Sequence, residues 1–69
     1  MNPNPNRTAE TLRTARKAKE WSQDTLHVRA GVSRETISIA ERTGWLTQRT
    51  AERLAAALDI PVESLRGEG

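Results

Sequence analysis

The stretch that decides the fold is SQDTLHVRAGVSRETI, residues 22–37. Ser22 is a favourable N-cap for a helix, and Asp24 lies in the first turn that follows, where the helix dipole favours a negative charge. Gly31 adopts a positive φ at low cost and is therefore suited to end that helix. The stretch predicts a short helix at about 22–30 that closes on a tight glycine turn.

A second helix is predicted directly after the turn, at about 33–42. Ser33 is its cap and Glu35 lies in its first turn, so the signals of the first helix are repeated. Ile37 follows four residues after the cap and is expected to point inward. Two short helices joined by a glycine turn form the pattern of a helix-turn-helix, in which the second helix enters the major groove of DNA.

Three further segments have helical patterns. One helix is expected at about 8–19, another at about 48–58 with apolar residues three and four apart, and a last helical turn at 62–66. No β-branched alternation indicates a strand, so the predicted fold is an all-α bundle of about five short helices. Ten large apolar residues are expected in the core: Leu12, Trp21, Leu26, Val32, Ile37, Leu54, Leu58, Ile60, Val62 and Leu65.

The chain has 69 residues, enough for one small domain. Residues 1–7 contain two prolines and no apolar face, so a flexible N-terminal arm is expected there. The helix-turn-helix domain is expected over 8–66, followed by a frayed tail at 67–69. No internal repeat and no linker to a second domain is evident in the sequence.

Composition narrows the functions that are open to the chain. The absence of cysteine and the single histidine argue against a metal site and a cysteine nucleophile, so neither a cofactor nor an enzymatic activity is expected. No long apolar run or signal peptide is present, which favours a cytoplasmic protein. Residues 1–50 hold nine Lys/Arg against five Asp/Glu, and residues 51–69 hold two against four. The basic part contains the turn motif, which suits a polyanionic partner.

The order of these signals is also informative. The motifs are Leu12-Arg13-x-x-Arg16, Trp21-Ser22-Gln23, Ala30-Gly31-Val32-Ser33-Arg34-Glu35-Thr36-Ile37-Ser38, Glu41-Arg42 and Leu54-Ala55-x-x-Leu58-x-Ile60. In this order they resemble the Cro/cI-type helix-turn-helix family, also described as lambda-repressor-like or XRE-type. The resemblance covers nearly the whole folded part. It implies a DNA-binding domain whose third helix, the recognition helix, reads the bases.

The resemblance implies roles for individual side chains. Arg34 and Glu35 are expected at base edges, since arginine bonds guanine bidentately and glutamate accepts from a cytosine amino group. Ile39, one turn further on, is expected at a thymine methyl. Gln23 begins a helix whose amides favour a phosphate, and Arg49 is expected at a phosphate or in the minor groove. The full expected DNA-binding set is Gln23, Ser33, Arg34, Glu35, Thr36, Ser38, Ile39, Arg42, Thr43 and Arg49.

Within the resemblance, Arg16 and Glu41 match the family's interior ion pair, which ties the first helix to the third. Four positions depart from the family pattern. They are Glu20 in place of a glycine, His27 in place of alanine, Ala40 in place of a larger aliphatic residue, and Gly44 one residue later than the usual glycine. For His27, a packed or half-exposed ring is favoured over a metal ligand or a pH switch. Glu20 predicts an altered helix end or a small strain penalty.

Trp45 and Leu46 are adjacent apolar residues in the loop expected at 43–47, and two interpretations are open. They either fold back to complete the small core or help form a dimer interface. The family binds DNA as a two-fold dimer with half-sites ~34 Å apart, and a single module offers only ~600–1,000 Å² of interface to DNA. The dimer contact is expected from Trp45, Leu46, Val62 and Leu65.

The expected function is that of a sequence-specific double-stranded DNA-binding transcription regulator. A repressor or autorepressor is favoured, acting as a homodimer on a palindromic operator that overlaps a promoter. The alternative is an antitoxin or adaptor module whose main partner is another protein. The sequence carries little beyond the bundle that would serve such a partner, which weakens the alternative.

Overall fold

The computed structural model describes residues 5–65, with side chains from residue 7 onward. Its elements are the α-helices α1 (Pro5–Ala18), α2 (Gln23–Ala30), α3 (Arg34–Thr43) and α4 (Gln48–Leu58), and the 3-10 turn η1 (Val62–Leu65). No strand occurs within this range, so the predicted all-α fold is confirmed. None of the described helices is long and apolar enough to cross a membrane.

Helix α1 begins at Pro5, earlier than the start predicted at residue 8. Residues 5–7 therefore belong to a helix and not to the arm that was expected there. Proline is well tolerated at the start of a helix, because its missing N–H would have no partner there and its φ already suits a helix. Residues 1–4 of the expected arm and residues 66–69, which include the expected tail, lie outside the described residues.

Helices α2, α3 and α4 each begin at a hydroxyl that accepts a hydrogen bond from a backbone amide three residues ahead. The oxygen–nitrogen distances are 3.0 Å for Ser22–Thr25, 3.1 Å for Ser33–Thr36 and 3.1 Å for Thr47–Thr50. The two caps predicted within the motif are thus confirmed. Gly31 closes α2 with a φ of 69°, and its amide donates to the His27 carbonyl, so the glycine turn forms as predicted.

Within residues 5–65, two residues other than glycine adopt the left-handed conformation that glycine adopts most easily. Glu20 follows α1 with a φ of 60°, and Asp59 follows α4 with a φ of 60°. Asp visits this region more readily than Glu, because its short polar side chain can bond locally. The strain expected where the family has glycine is therefore found at Glu20. Gly44 closes α3 with a φ of 80°, and this late glycine lets the helix run to Thr43.

One apolar cluster holds the elements together. Seven of the ten expected core residues are buried, and the other three, Trp21, Ile60 and Val62, pack against the cluster partly buried. Ala40 is fully buried in the cluster, without the larger aliphatic side chain that the family has there. Helix α1 packs on α3 and η1, and α2 packs on α3 and α4. These contacts cover the inner side of α3 and leave its outer side in solvent.

Candidate nucleic-acid interface

The outer side of α3 carries five of the residues predicted to contact DNA. Arg34, Glu35 and Arg42 are exposed, and Ser38 and Ile39 are half-buried. Residues 34, 38 and 42 are four apart, as are 35 and 39, so all five lie on one side of the helix. We term this side the recognition face. It presents two guanidinium groups, a carboxylate, a hydroxyl and a methyl-rich side chain along about two helical turns.

Arg34 is paired with a residue of the preceding helix. Its Nη1 lies 3.3 Å from Oδ1 of Asp24, and the two side chains are 67% and 66% exposed. An exposed ion pair of this kind adds little stability, because water screens both charges. The pair lies at the N-terminal end of the recognition face. Asp24 was expected only to complement the dipole of α2, and its contact with Arg34 depends on how the motif brings the two helices together.

The two ends of α3 carry hydroxyl groups that were also predicted to contact DNA. Ser33 is the exposed N-cap, and its Oγ donates to Thr36 Oγ1 at 2.7 Å. At the other end, Thr43 Oγ1 donates to the Ile39 carbonyl at 2.9 Å and accepts from the Trp45 amide at 3.1 Å. The Thr43 hydroxyl proton is thus used to close the helix, whereas Ser33 and Thr36 remain at the edge of the recognition face.

An open groove of about 290 Å³ lies between the α2–α3 turn and α4. We term it the turn groove. Its lining includes Gly31, Ser33, Thr36, Arg49, Thr50 and Arg53. The groove brings Arg49 together with Ser33 and Thr36, which are far from it in sequence. Thr50 and Arg53 were not among the predicted residues, although the spacing of four between Arg49 and Arg53 could have indicated a shared face of α4.

A buried carboxylate fixes the position of α3. Arg16 donates through Nε to Glu41 Oε2 at 2.6 Å and through Nη2 to Oε1 at 3.0 Å, so the predicted ion pair is confirmed and is bidentate. Glu41 is only 5% exposed. Arg13 Nη1 donates to the Glu41 carbonyl at 2.6 Å, and Arg16 Nη1 donates to the Trp21 carbonyl at 2.8 Å. The first helix is thereby tied both to α3 and to the segment that enters α2.

Gln23 joins this network. Its Nε2 donates to Glu41 Oε1 at 3.1 Å, so the side chain at the start of α2 is partly turned toward α3. Burial alone would raise the pKa of Glu41, but hydrogen bonds from Arg16 and Gln23 and the charges of Arg16 and Arg13 hold that pKa below its ordinary value. The carboxylate therefore stays charged, and Gln23 has a structural role besides the phosphate contact that was predicted.

His27 bridges the turn of the motif. Its Nδ1 lies 2.7 Å from the Val32 carbonyl oxygen, and the ring is half-buried. Because a carbonyl oxygen only accepts, Nδ1 carries the hydrogen in this contact. The imidazole thus spans the gap that alanine leaves in the family. Among the described residues, no group of three or more potential metal ligands includes it.

The four residues predicted to form a dimer interface fall into different environments. Trp45 is 63% exposed, whereas Leu46 and Val62 are partly buried against the core. Leu65 is only 1% exposed. Its side chain completes the core under α1 and α4, so the core prediction for Leu65 is confirmed and the prediction that it also faces a partner chain is wrong. Each of the two interpretations of the Trp45–Leu46 pair therefore applies to one residue. Leu46 packs against the core, whereas Trp45 faces solvent and is available for a dimer contact.

The fold and the recognition face together define a class of molecule, the helix-turn-helix DNA-binding transcription regulators. Residues 12–65 match the family model described as helix-turn-helix, and the chain belongs to this family. The resemblance noted in the sequence is therefore confirmed. Comparison with curated proteins finds no match.

Three solved structures are similar to the chain. The restriction-modification controller protein C.AhdI from Aeromonas hydrophila is 32% identical with a TM-score of 0.80, over 88% of this chain and 94% of that one. The N-terminal DNA-binding domain of SinR from Bacillus subtilis is 28% identical with a TM-score of 0.79, over 84% and 87%. A hypothetical transcription factor, NHTF, from Neisseria is 32% identical with a TM-score of 0.81, over 88% and 71%.

Proposed function

We propose that the chain is a sequence-specific repressor that binds a palindromic operator as a homodimer. The observation that carries the proposal is the recognition face, where residues suited to base contact are gathered on one open side of α3. Arg34 is suited to the O6 and N7 of a guanine, and Glu35 to a cytosine amino group. Ile39 offers methyl groups to a thymine methyl.

Contacts with phosphates position this face without adding sequence information. We assign them to Gln23 at the start of α2, to Ser33 and Thr36 at the start of α3, and to Arg49 in the first turn of α4. Arg42 and Thr43 lie at the C-terminal end of α3, where the sugar–phosphate backbone of a DNA strand would pass. The uneven charge of the sequence supports this assignment, because residues 1–50, which contain the motif, hold nine Lys/Arg against five Asp/Glu.

Dimerisation is proposed because one module of this kind offers only ~600–1,000 Å² to DNA. Trp45 is the principal candidate for the contact, since it is a large apolar side chain that remains 63% exposed. Leu46 and Val62 are partly covered and would contribute at its margin. A two-fold dimer would place its recognition helices in successive major grooves, ~34 Å apart. Occupation of such a site would block a promoter that overlaps it.

The experiment that tests this proposal is selection of bound duplexes from a random DNA pool. A palindromic consensus whose half-sites are about one helical turn apart is expected. Enrichment of an asymmetric site would contradict the dimer while retaining sequence-specific binding. Enrichment of no sequence would overturn the proposal.

A second candidate function is that of an adaptor or antitoxin whose main partner is a protein. The same exposed Trp45 favours it, because aromatic side chains are enriched at protein–protein interfaces. Purification from the native host distinguishes the two functions. A stoichiometric protein partner together with loss of DNA binding supports the adaptor, whereas retention of one DNA sequence by the isolated chain supports the repressor.

A further inference from the structure

The turn groove has an excess of positive charge that the chain itself does not balance. Its lining holds the guanidinium groups of Arg49 and Arg53 and contains no carboxylate. Both side chains are exposed, and neither forms an ion pair within residues 7–65. They are four apart on α4 and therefore face the same side, where like charges repel each other. An anion in the groove would relieve this repulsion.

Arg53 is already oriented toward the groove. Its Nη1 donates to the Gly31 carbonyl at 3.3 Å, which places the guanidinium beside the turn that precedes the recognition helix. A guanidinium group has five N–H donors, so most of them remain free in this position. The planar arrangement of these donors matches the oxygens of a phosphate. Because the contact with Gly31 already restricts the Arg53 side chain, that side chain loses less conformational entropy when an anion binds.

The hydroxyl groups of the groove are also set to donate. Ser33 Oγ donates to Thr36 Oγ1 at 2.7 Å, and Thr47 Oγ1 donates to Thr50 Oγ1 at 2.9 Å. Thr36 and Thr50 are the acceptors in these pairs, so the hydroxyl hydrogen of each is free to donate to another group. Both of these threonines line the groove. The side-chain groups available there are therefore guanidinium and hydroxyl donors, which suit a phosphate oxyanion.

We propose that the turn groove binds one backbone phosphate of the DNA strand that runs beside the recognition face, with Arg53 and Arg49 as its ligands. The groove is open, which allows a continuous sugar–phosphate chain to pass over it. It adjoins the N-terminal end of α3, so the phosphate would flank the bases that face Arg34 and Glu35. This inference rests on the proposed DNA-binding function and adds Arg53, Thr50 and a defined location to it.

The first test compares the salt dependence of DNA binding in Arg53→Gln and Lys17→Gln. Both variants lose one exposed cation, but Lys17 lies on α1 outside the groove. Arg53→Gln is expected to lower the slope of log K against log salt by about 0.9 per subunit, or about 1.8 for the dimer. It should also weaken the selected and a random duplex by the same factor, roughly tenfold per subunit. Lys17→Gln is expected to change neither quantity appreciably. Circular dichroism of each variant checks that it is folded.

The second test locates the phosphate. Each phosphate of the selected duplex is replaced in turn by a neutral methylphosphonate, and binding is measured for the parent and for Arg53→Gln. Two symmetry-related positions, one in each half-site, are each expected to weaken the parent roughly tenfold and the variant much less, because the variant has already lost that contact. Equal losses in both proteins at every position would overturn the assignment of Arg53.

The outcomes separate the two proposals. If the parent selects a DNA sequence but Arg53→Gln behaves as Lys17→Gln does, the groove does not bind phosphate and the proposed function stands. If the parent binds no duplex at all, the proposed function itself fails. Arg53→Lys keeps the charge and loses the planar donors, so partial recovery of affinity would attribute the contact to guanidinium geometry as well as to charge.

Discussion

At the scale of single residues, the recognition face depends on how freely its side chains can meet a base. The Arg34 guanidinium lies 3.3 Å from Asp24 in an exposed ion pair that water screens, so it can leave that partner for a base at little cost. Glu35 forms no ion pair among the described residues. A bidentate contact between arginine and guanine discriminates against other bases by ~1–3 kcal/mol. Arg34 is therefore the residue whose loss should be most visible in sequence selection.

Replacement of Arg34 by alanine is expected to weaken binding of the selected operator by ~1–3 kcal/mol per subunit and to relax selection at one base position of each half-site. The reason is that a bidentate contact to guanine is lost while the rest of the interface is kept. Binding titrations with the operator and with its single-base variants measure both effects. Lys17→Ala serves as the control for loss of an exposed cation. If Arg34→Ala selected the same bases as the parent, Arg34 would not contact a base.

At the scale of the elements, the helices owe their limits to local chemistry. Three hydroxyl caps start α2, α3 and α4, and left-handed residues end them. The junction between α1 and α2 also has a left-handed residue, but there it is Glu20, with a φ of 60° that suits Glu less well than Asp. The strained junction leads into Trp21, whose carbonyl accepts from Arg16. That hydrogen bond is one reason why the chain keeps this conformation without a glycine.

Glu20→Gly is expected to stabilise the domain, because glycine adopts this φ without the ~1 kcal/mol cost of a left-handed residue with a side chain. The greater entropy of glycine in the unfolded chain offsets part of this gain. A rise in Tm of a few degrees is expected for a domain of this size. Lys19→Gly, at a neighbour with negative φ, should lower Tm. If both variants lowered Tm equally, the conformation at Glu20 would not be strained.

At the scale of the whole molecule, one network joins three helices. Glu41 of α3 accepts from Arg16 of α1 and from Gln23 of α2, and Arg13 reaches its carbonyl oxygen. Removing one partner from a buried pair of this kind costs about 3–5 kcal/mol. A chain of this length has a total stability of roughly 3–10 kcal/mol. The network is therefore a large part of what keeps the recognition face in place.

The network predicts a loss of stability in acid. The pKa of Glu41 is lower in the folded chain than in the unfolded one, so its contribution is fully present above the ordinary carboxyl pKa of ~4.3. The contribution falls as the pH drops through the lower folded pKa. Denaturant unfolding from pH 7 to pH 2 should show a smaller pH-dependent loss in Glu41→Gln than in the parent. Glu52→Gln removes an exposed carboxyl and should match the parent.

The assembly state is predicted to depend on Trp45. Trp45→Ala is expected to shift the chain from dimer to monomer in analytical ultracentrifugation, while circular dichroism and Tm change little because the side chain is 63% exposed. Operator affinity should fall with the dimer, whereas the base preference of each half-site should persist. Val28→Ala removes another exposed apolar side chain, on α2, and is the matched control. A parent that sediments as a monomer with and without operator DNA would contradict the dimer.

Much of the fold could be predicted from the sequence. The limits of α2 and α3 follow from caps and glycines that act within three or four residues, and those of α4 follow from its apolar spacing. All three helices agree with the structure to within one residue at each end. The recognition face follows from helical spacing once α3 and its inward residue Ile37 are known. Pro5 was the local exception, because a proline can equally belong to an extended arm or to the first turn of a helix. The ion pair between Arg16 and Glu41 came from the family resemblance.

The sequence by itself determined the helix-turn-helix, its caps and its exposed polar face, because these depend on interactions within a few residues of each other. Only the tertiary structure decided that Leu46 packs against the core while Trp45 is in solvent. It alone placed Arg53 beside Gly31, 22 residues away in the chain. Such contacts depend on how helices pack across the core. That packing is set by the shapes of many side chains together, and no local pattern records it.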